Sequence, residues 1–277
     1  MKIRHLRSTV LALLASALLL GGTLAAQEGP LDTSPPKGIT PEEIIQKFAA
    51  KEKEFKQARD QYTFRQDVKV QTMDGDTPDG EFREITDVLF DDSGKRIENV
   101  VFAPQATLTR ISMTKEDLDD IHHTMPFVLT TEEIPEYQII YVGKQKEDEL
   151  DTYVFDVAPK QIQKNRRYFQ GRIWVDQQDL QIVKSKGKAV PDIRKKNEEN
   201  LFPGFTTYRE QIDGHYWFPT YTRADDTLHF SGGDVPIRII IKYSNYKRYG
   251  SKSRITYEGQ EVQKAEQKPP QQQPPPK

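Results

Sequence analysis

Four residues within one helical turn give this chain its densest cluster of chemically useful groups. Asp119, Asp120, His122 and His123 stand together, and the i, i+4 spacing of Asp119 and His123 puts both on one face of a helix. A carboxylate and an imidazole so placed can grip a divalent metal. A complete site needs further ligands from distant positions, and the helix carrying this pair is expected to end near His122, so a structural role is the preferred reading. Two acidic pairs, Asp91-Asp92 and Asp225-Asp226, could do general acid–base work or bind calcium. Each is expected at a strand end, in a turn where Asp bonds its own backbone. The chain has no Gly-x-Ser-x-Gly elbow, no His-Glu-x-x-His, no phosphate loop and 0 Cys. These readings predict a non-enzymatic protein without metal or cofactor. A metal-dependent hydrolase built on His122 and His123 is the catalytic alternative.

Aromatic residues are the other group that could serve a ligand. Tyr208, Tyr216, Trp217, Phe218, Tyr221, Tyr243 and Tyr246 crowd the last third of the chain. They can pack strands together or wall an apolar pocket.

The elements that would hold these residues are mostly strands. Alternating apolar residues mark runs at 62–70, 82–90, 96–102, 137–142, 152–157, 168–176, 180–184, 205–213, 215–224 and 235–246, most of them joined by short turns. Polar, turn-rich residues fill 75–80, and Asp213-Gly214 marks a hairpin. Pairing Val175 with Leu180 would leave 176–179 as a four-residue turn, with Ile173 opposite Ile182. Both faces of that hairpin carry apolar residues. Ahead of the strands, Thr40, Pro41 and Glu43 make a capping box with Pro at N1, and Ile39 and Ile44 a hydrophobic staple. A helix over 41–59 follows, with Ile44, Ile45, Phe48 and Phe55 on one side. Thr114 and Asp117 open a shorter helix over 115–122, with another turn at 131–134. The fold class is therefore α+β. A strongly curved antiparallel sheet of nine to eleven strands forms an incomplete β-barrel, and one long N-terminal helix and short central ones cover its concave face.

The ends bound the compartment. Lys2, Arg4 and Arg7 precede an apolar run at 10–20 and then Gly21-Gly-Thr-Leu-Ala-Ala26, which together read as a cleaved secretory signal over 1–26. Residues 27–38 are Pro-rich and expected to be disordered, 39–257 form one domain, and 258–277 are a Pro/Gln-rich disordered tail. The protein is expected in the periplasm. Without a cysteine it is neither lipidated at the cleavage point nor held by disulfides. The chain's net charge of −2 becomes −5 once the signal's three basic residues are removed, which argues against nucleic-acid binding. The basic cluster Arg194-Lys195-Lys196 is followed at once by Glu198 and Glu199 and reads as a solvated loop. Charged residues at strand centres, among them Arg65, Asp67, Lys69, Arg209 and Glu210, argue against the rival reading of an outer-membrane barrel.

The export signal, the Thr-Pro-Glu-Glu-Ile helix start and the meander resemble the LolA-like outer-membrane lipoprotein-sorting proteins. So do the text Gly171-Arg-Ile-Trp-Val-Asp176…Leu180-Gln-Ile-Val-Lys184 and the later Tyr216-Trp-Phe-Pro219. The resemblance runs from about Thr40 to Tyr246. It implies a half-barrel whose concave apolar face holds acyl chains under helices, hence a monomeric carrier for a lipid or lipidated protein cargo. Such a carrier would meet membrane-bound donor and acceptor proteins transiently. Either Arg96 or Arg110 could correspond to the family's lid-closing arginine. The expected cavity lining is Phe64, Val88, Phe90, Trp174, Trp217 and Tyr221. The alternative is an envelope scaffold that binds a protein through a sheet edge or the tail.

Overall fold

The computed structural model describes residues 28–91, 95–195 and 198–248. The expected signal and the Pro/Gln-rich tail lie outside the described residues. The first helix, α1 (Pro41–Arg59), begins as its capping box requires. Glu43 N donates to Thr40 Oγ1 at 3.2 Å, and Thr40 N donates to Glu43 Oε2 at 2.8 Å. Its buried stripe of Ile44, Phe48, Glu52 and Phe55 faces the sheet.

The strands are β1 (Tyr62–Asp74), β2 (Thr77–Phe90), β3 (Arg96–Phe102), β4 (Tyr137–Glu147), β5 (Leu150–Pro159), β6 (Tyr168–Asp176), β7 (Ile182–Val190), β8 (Ile193–Lys195), β9 (Glu198–Asn200), β10 (Phe205–Ile212), β11 (Tyr216–Phe230) and β12 (Gly233–Arg248). Ten of them form one antiparallel sheet in the order β3-β2-β1-β12-β11-β10-β7-β6-β5-β4, while β8 and β9 make a separate hairpin. The two edges, β3 and β4, do not pair, so the sheet is an open half-barrel. One continuous apolar cluster joins Val88 near the first edge to Tyr137 on the last strand, as a concave core requires. The helix α1 crosses that concavity. Phe48 meets Phe155 of β5 at 5.7 Å between ring centres, and Phe55 meets Phe218 of β11 at 5.1 Å. Between β3 and β4 the chain crosses the concave side through α2 (Lys115–Asp119), which runs on as one π-helical turn, Asp120–Thr124.

Several local expectations are corrected. The β6–β7 hairpin pairs Val175 with Ile182 and Ile173 with Ser185, not with Leu180 and Ile182. The Asp176 carboxylate gathers Gln178 N and Asp179 N at 2.8 and 2.7 Å, which tightens the turn and leaves Leu180 at φ +52° outside the ladder. The polar stretch 75–80 is mostly strand, because Gly75 (φ +58°) turns the chain tightly enough for Asp74 to pair with Thr77. The last hairpin runs through Asp225-Asp226 and turns at Ser231-Gly232 instead. Asp225 sits on the strand because Arg238 reaches it at 2.7 Å from β12 and Arg223 pairs with it along β11. The described part of the basic cluster at Arg194 belongs to the β8–β9 hairpin, with Arg194 3.1 Å from Glu199.

Residues 27–38, expected to be disordered, are laid from Glu28 onward along the free edge of β4. Gly29 N donates to Lys146 O, and Asp32 and Lys144 exchange backbone bonds, all at 2.8 Å. This strap removes part of one open edge.

Candidate functional site

The inner face is filled beneath α1 but not at its far end. There the inward residues Val70 of β1, Leu228 of β11 and Ile237 and Ile239 of β12 face Ile121 and Phe202 across a cavity of about 220 Å³. Period-2 alternation along β12 supplies Ile237 and Ile239 to one side. The opposite wall is pinned by a polar knot. Thr114 and Asp117 form the capping box of α2, and Asn200 Nδ2 donates to both, at 2.8 Å to Thr114 Oγ1 and 3.1 Å to Asp117 Oδ1. At the rim, Arg110 donates to Met73 O at 2.8 Å and to Asp79 at 2.9 Å. An apolar chamber with a polar, charged rim suits the end of a hydrocarbon chain whose polar part stays outside. Its volume lies below the roughly 300–1,000 Å³ of ordinary small-molecule pockets, so it accepts part of a chain without rearrangement.

None of the six expected lining residues borders this cavity, and they divide between the two faces. Phe64 and Val88 are buried on the inner face, where Phe64 stacks on Tyr246 at 5.2 Å. Phe90 packs against the same core, with the Arg59 guanidinium 5.9 Å over its ring. These three are core. Trp174, Trp217 and Tyr221 lie on the outer face, which corrects their assignment to a covered concavity. Strand alternation explains it: Ile173 and Val175 point inward, so Trp174 between them points out. Trp174 donates to Gln145 Oε1 at 2.8 Å, Trp217 donates to Asp179 Oδ2 at 2.8 Å, and Tyr221 lies beside Tyr208 at 6.4 Å.

On that outer face Lys184 of β7 is only 2% exposed. Its Nζ donates to Glu28 of the strap at 2.6 Å and to Glu147 of β4 at 2.9 Å, and lies 4.4 Å from the centre of the Trp174 ring. Burial alone would lower Lys184, but the hydrogen bonds to the two carboxylates raise it. Its bond also holds Glu28 below the usual carboxylate range, whereas burial pushes Glu147 up. The inner face has a counterpart. Glu52 of α1 accepts two bonds from Arg209 Nη1, at 3.0 and 3.1 Å, and one from Ile182 N at 3.2 Å, and Arg209 also donates to Phe127 O.

The histidine and aspartate cluster does not assemble. His123 faces Asp119 at 3.0 Å on the exposed surface, His122 turns to Glu98 at 3.3 Å, and Asp120 pairs with Arg167 at 2.6 Å. Burial, helped by Arg96, lowers His122 to about 4, so it is a neutral imidazole near pH 7. Among the described residues no three His, Asp or Glu gather as a metal site. Asp226 accepts Gly204 N at 2.8 Å, and Asp225 is held between two arginines. Arg96 donates to Gln66 at 2.7 Å, and its guanidinium lies 5.8 Å over the Phe64 ring. Among the described residues no helix is long and apolar enough to cross a membrane.

No protein-family profile matches the chain, and no curated protein matches it. Solved structures of similar shape include a DUF1329 family protein from Desulfovibrio piger. It is 14% identical, with 76% of this chain and 93% of that one covered and a TM-score of 0.40. A LolA superfamily protein from Nitrosomonas europaea is 16% identical, with 74% and 91% covered and a TM-score of 0.34. An outer membrane lipoprotein-sorting protein domain from Vibrio parahaemolyticus is 12% identical, with 75% and 94% covered and a TM-score of 0.35. Two of these three structures bear the family name that the Trp174 hairpin and its neighbouring text suggested.

Proposed function

We propose that this protein is a non-enzymatic periplasmic carrier that shelters an acyl chain of a lipid or lipidated protein in the cavity between β1, β11, β12 and the α2 cover. The observation that carries this reading is the apolar chamber itself, walled by Leu228, Ile237, Ile239 and Phe202 and closed by irregular chain at 110–114. Each buried methylene is worth about 0.8 kcal/mol, so a few methylenes anchor a chain without a charged partner. The export signal expected at 1–26 supports the compartment. The test is mass spectrometry of lipid extracted from purified protein, with binding of a fluorescent fatty acyl probe to the wild type and to Leu228→Trp, which fills the chamber. Probe binding in the wild type that falls at least tenfold in the variant supports the reading. Equal binding in both, or no lipid and no probe binding, removes it.

One observation favours a second reading, a scaffold that binds a protein through its sheet edge. Ile97, Val100, Val101 and Phe102 of β3 are all exposed along an edge strand, the arrangement that recruits an added strand. Under that reading Val100→Lys abolishes capture of a partner and leaves acyl-probe binding untouched.

A further inference from the structure

A second cavity, of about 240 Å³, lies across the π-helical turn from the apolar one. Lys56 and Arg59 come to it from α1, Thr124 from the turn, and Arg166, Arg167 and Tyr168 from the start of β6. His123 and Glu133 also border it. Glu133 is the one carboxylate in that lining among the described residues, and it is 3.1 Å from Lys56. The other three cations each have a carboxylate partner outside the lining: Asp60 is 4.0 Å from Arg59, Glu136 2.8 Å from Arg166, and Asp120 2.6 Å from Arg167.

Three donors in this lining are buried with no hydrogen-bond partner: Arg59 Nε, Arg167 Nε and Tyr168 Oη. Arg167 Nη2 is not among them, since it is ion-paired with Asp120 Oδ2 at 2.6 Å. Tyr168 is 3% exposed, so bulk water does not reach it freely. Buried polar atoms in native proteins are paired with protein, ordered water or a bound group. Here the unpaired atoms of the lining are N–H or O–H donors, on residues that border one cavity from two elements, and the unpaired acceptors beside them, Asp120 Oδ2 and Glu136 Oε2, belong to the ion-pair partners of Arg167 and Arg166. Burial, more than its neighbours, also holds the Arg59 guanidinium below its usual range, and the charges of Arg96 and Arg209 add to the effect.

We propose that this cavity binds a phosphate-type oxyanion, either free phosphate or the phosphate of a lipid headgroup. A phosphate monoester carries about −1.5 to −2 charge at neutral pH and three acceptor oxygens, which answers several unpaired donors at once better than a single carboxylate ligand would. Guanidinium groups present donors in a planar fork suited to such an anion. Arg167 links this cavity to the apolar one, since its guanidinium lies 6.0 Å over the ring of Phe202 and donates to Asn200 at 3.3 Å, and both of those residues line the apolar chamber. A phospholipid could thus place head and tail on the two sides of one residue. The anion site does not depend on the acyl reading.

Titration calorimetry of the full chain with inorganic phosphate, and separately with short-chain dihexanoylphosphatidic acid, tests the proposal. Tyr168→Phe removes an unpaired buried hydroxyl, so its melting temperature should hold or rise, while phosphate affinity falls about tenfold. Arg59→Gln should weaken phosphate at least as much without unfolding the protein. Tighter binding of the lipid than of phosphate, with the difference lost in Leu228→Trp, assigns the headgroup as the source. Equal binding of the two assigns free phosphate. Absence of saturable binding of either at millimolar concentration, or affinities unchanged in both folded variants, overturns the proposal.

Discussion

Arg209 and Lys184 sit almost back to back. Lys184 on β7 is the ladder partner of Tyr208 on β10, so the two cations are one residue apart in register and on opposite faces of the sheet. Each fastens a separate piece of chain to that sheet. Arg209 holds α1 through Glu52, with side chains 3% and 0% exposed. Lys184 holds the strap through Glu28, and there the carboxylate is 47% exposed. The chemistry is the same, an ammonium or guanidinium on a carboxylate, yet the environments give it different consequences. Where both partners are dry, removing either strands a charge in the core, so the helix cannot leave without that cost. Where one partner remains wet, water competes for it, and the strap is held by a contact that can open. Buried pairs contribute less to net stability than their short distances suggest. What distinguishes these two is how costly each is to break.

That contrast can be broken most severely at Arg209. Arg209→Met leaves Glu52 buried beside β7 without its counter-charge and should cost about 3–5 kcal/mol by chemical denaturation, with much of the loss recovered in Glu52→Leu/Arg209→Met. Lys184→Met should cost less, about 2 kcal/mol, because one of its two carboxylate partners, Glu28, is half exposed and returns to water when the ammonium is gone. Glu28→Gln should change global stability by under about 1 kcal/mol and act on the strap alone, seen as faster hydrogen exchange at Gly29, Asp32 and Lys144.

The smallest effect is on pH dependence, and its sign differs between the two clamps. Asp32 is held down at about 2, first by the Ser34 backbone amide and then by Lys144, and Glu28 is lowered by Lys184. The strap's contribution is complete above their ordinary values of about 4 and disappears as pH falls toward about 2. Burial raises Glu52, so it takes up its proton more readily folded than unfolded, and acid withdraws no stability through it. Exchange followed down the acid limb should show the strap opening before α1. Simultaneous opening would mean that the two clamps are not independent.

The fold was largely legible because its signals are local. Thr40, Pro41 and Glu43 set the start of α1 within a few residues, and Asp213-Gly214 takes the positive φ angles, +61° and +72°, that a hairpin turn favours. What failed depends on partners far along the chain. Asp225-Asp226 looks like a turn until Arg238 is placed across from it, and ending β11 early hid Leu228, a wall of the cavity. Trp174 could not be assigned a face from alternation alone, since both faces of its hairpin are apolar and only the docking of α1 decides which is inside. The Glu52–Arg209 pair joins residues 157 apart, and no spacing rule reaches that far. The strap read as disordered from its prolines, because its order is borrowed from the edge of β4.

The placement of the two tryptophans has a practical consequence for spectroscopy. The chain holds 2 Trp, and both lie on the outer face, away from the apolar chamber. Of the two, Trp174 is the reporter of the strap. The Lys184 ammonium over the Trp174 ring ties its signal to whether Glu28 is docked. A lipid entering the chamber under the α2 cover would be silent in that channel, so emission that stays flat on adding an acyl ligand is compatible with a filled chamber. A change on acidification would mark the strap leaving its edge.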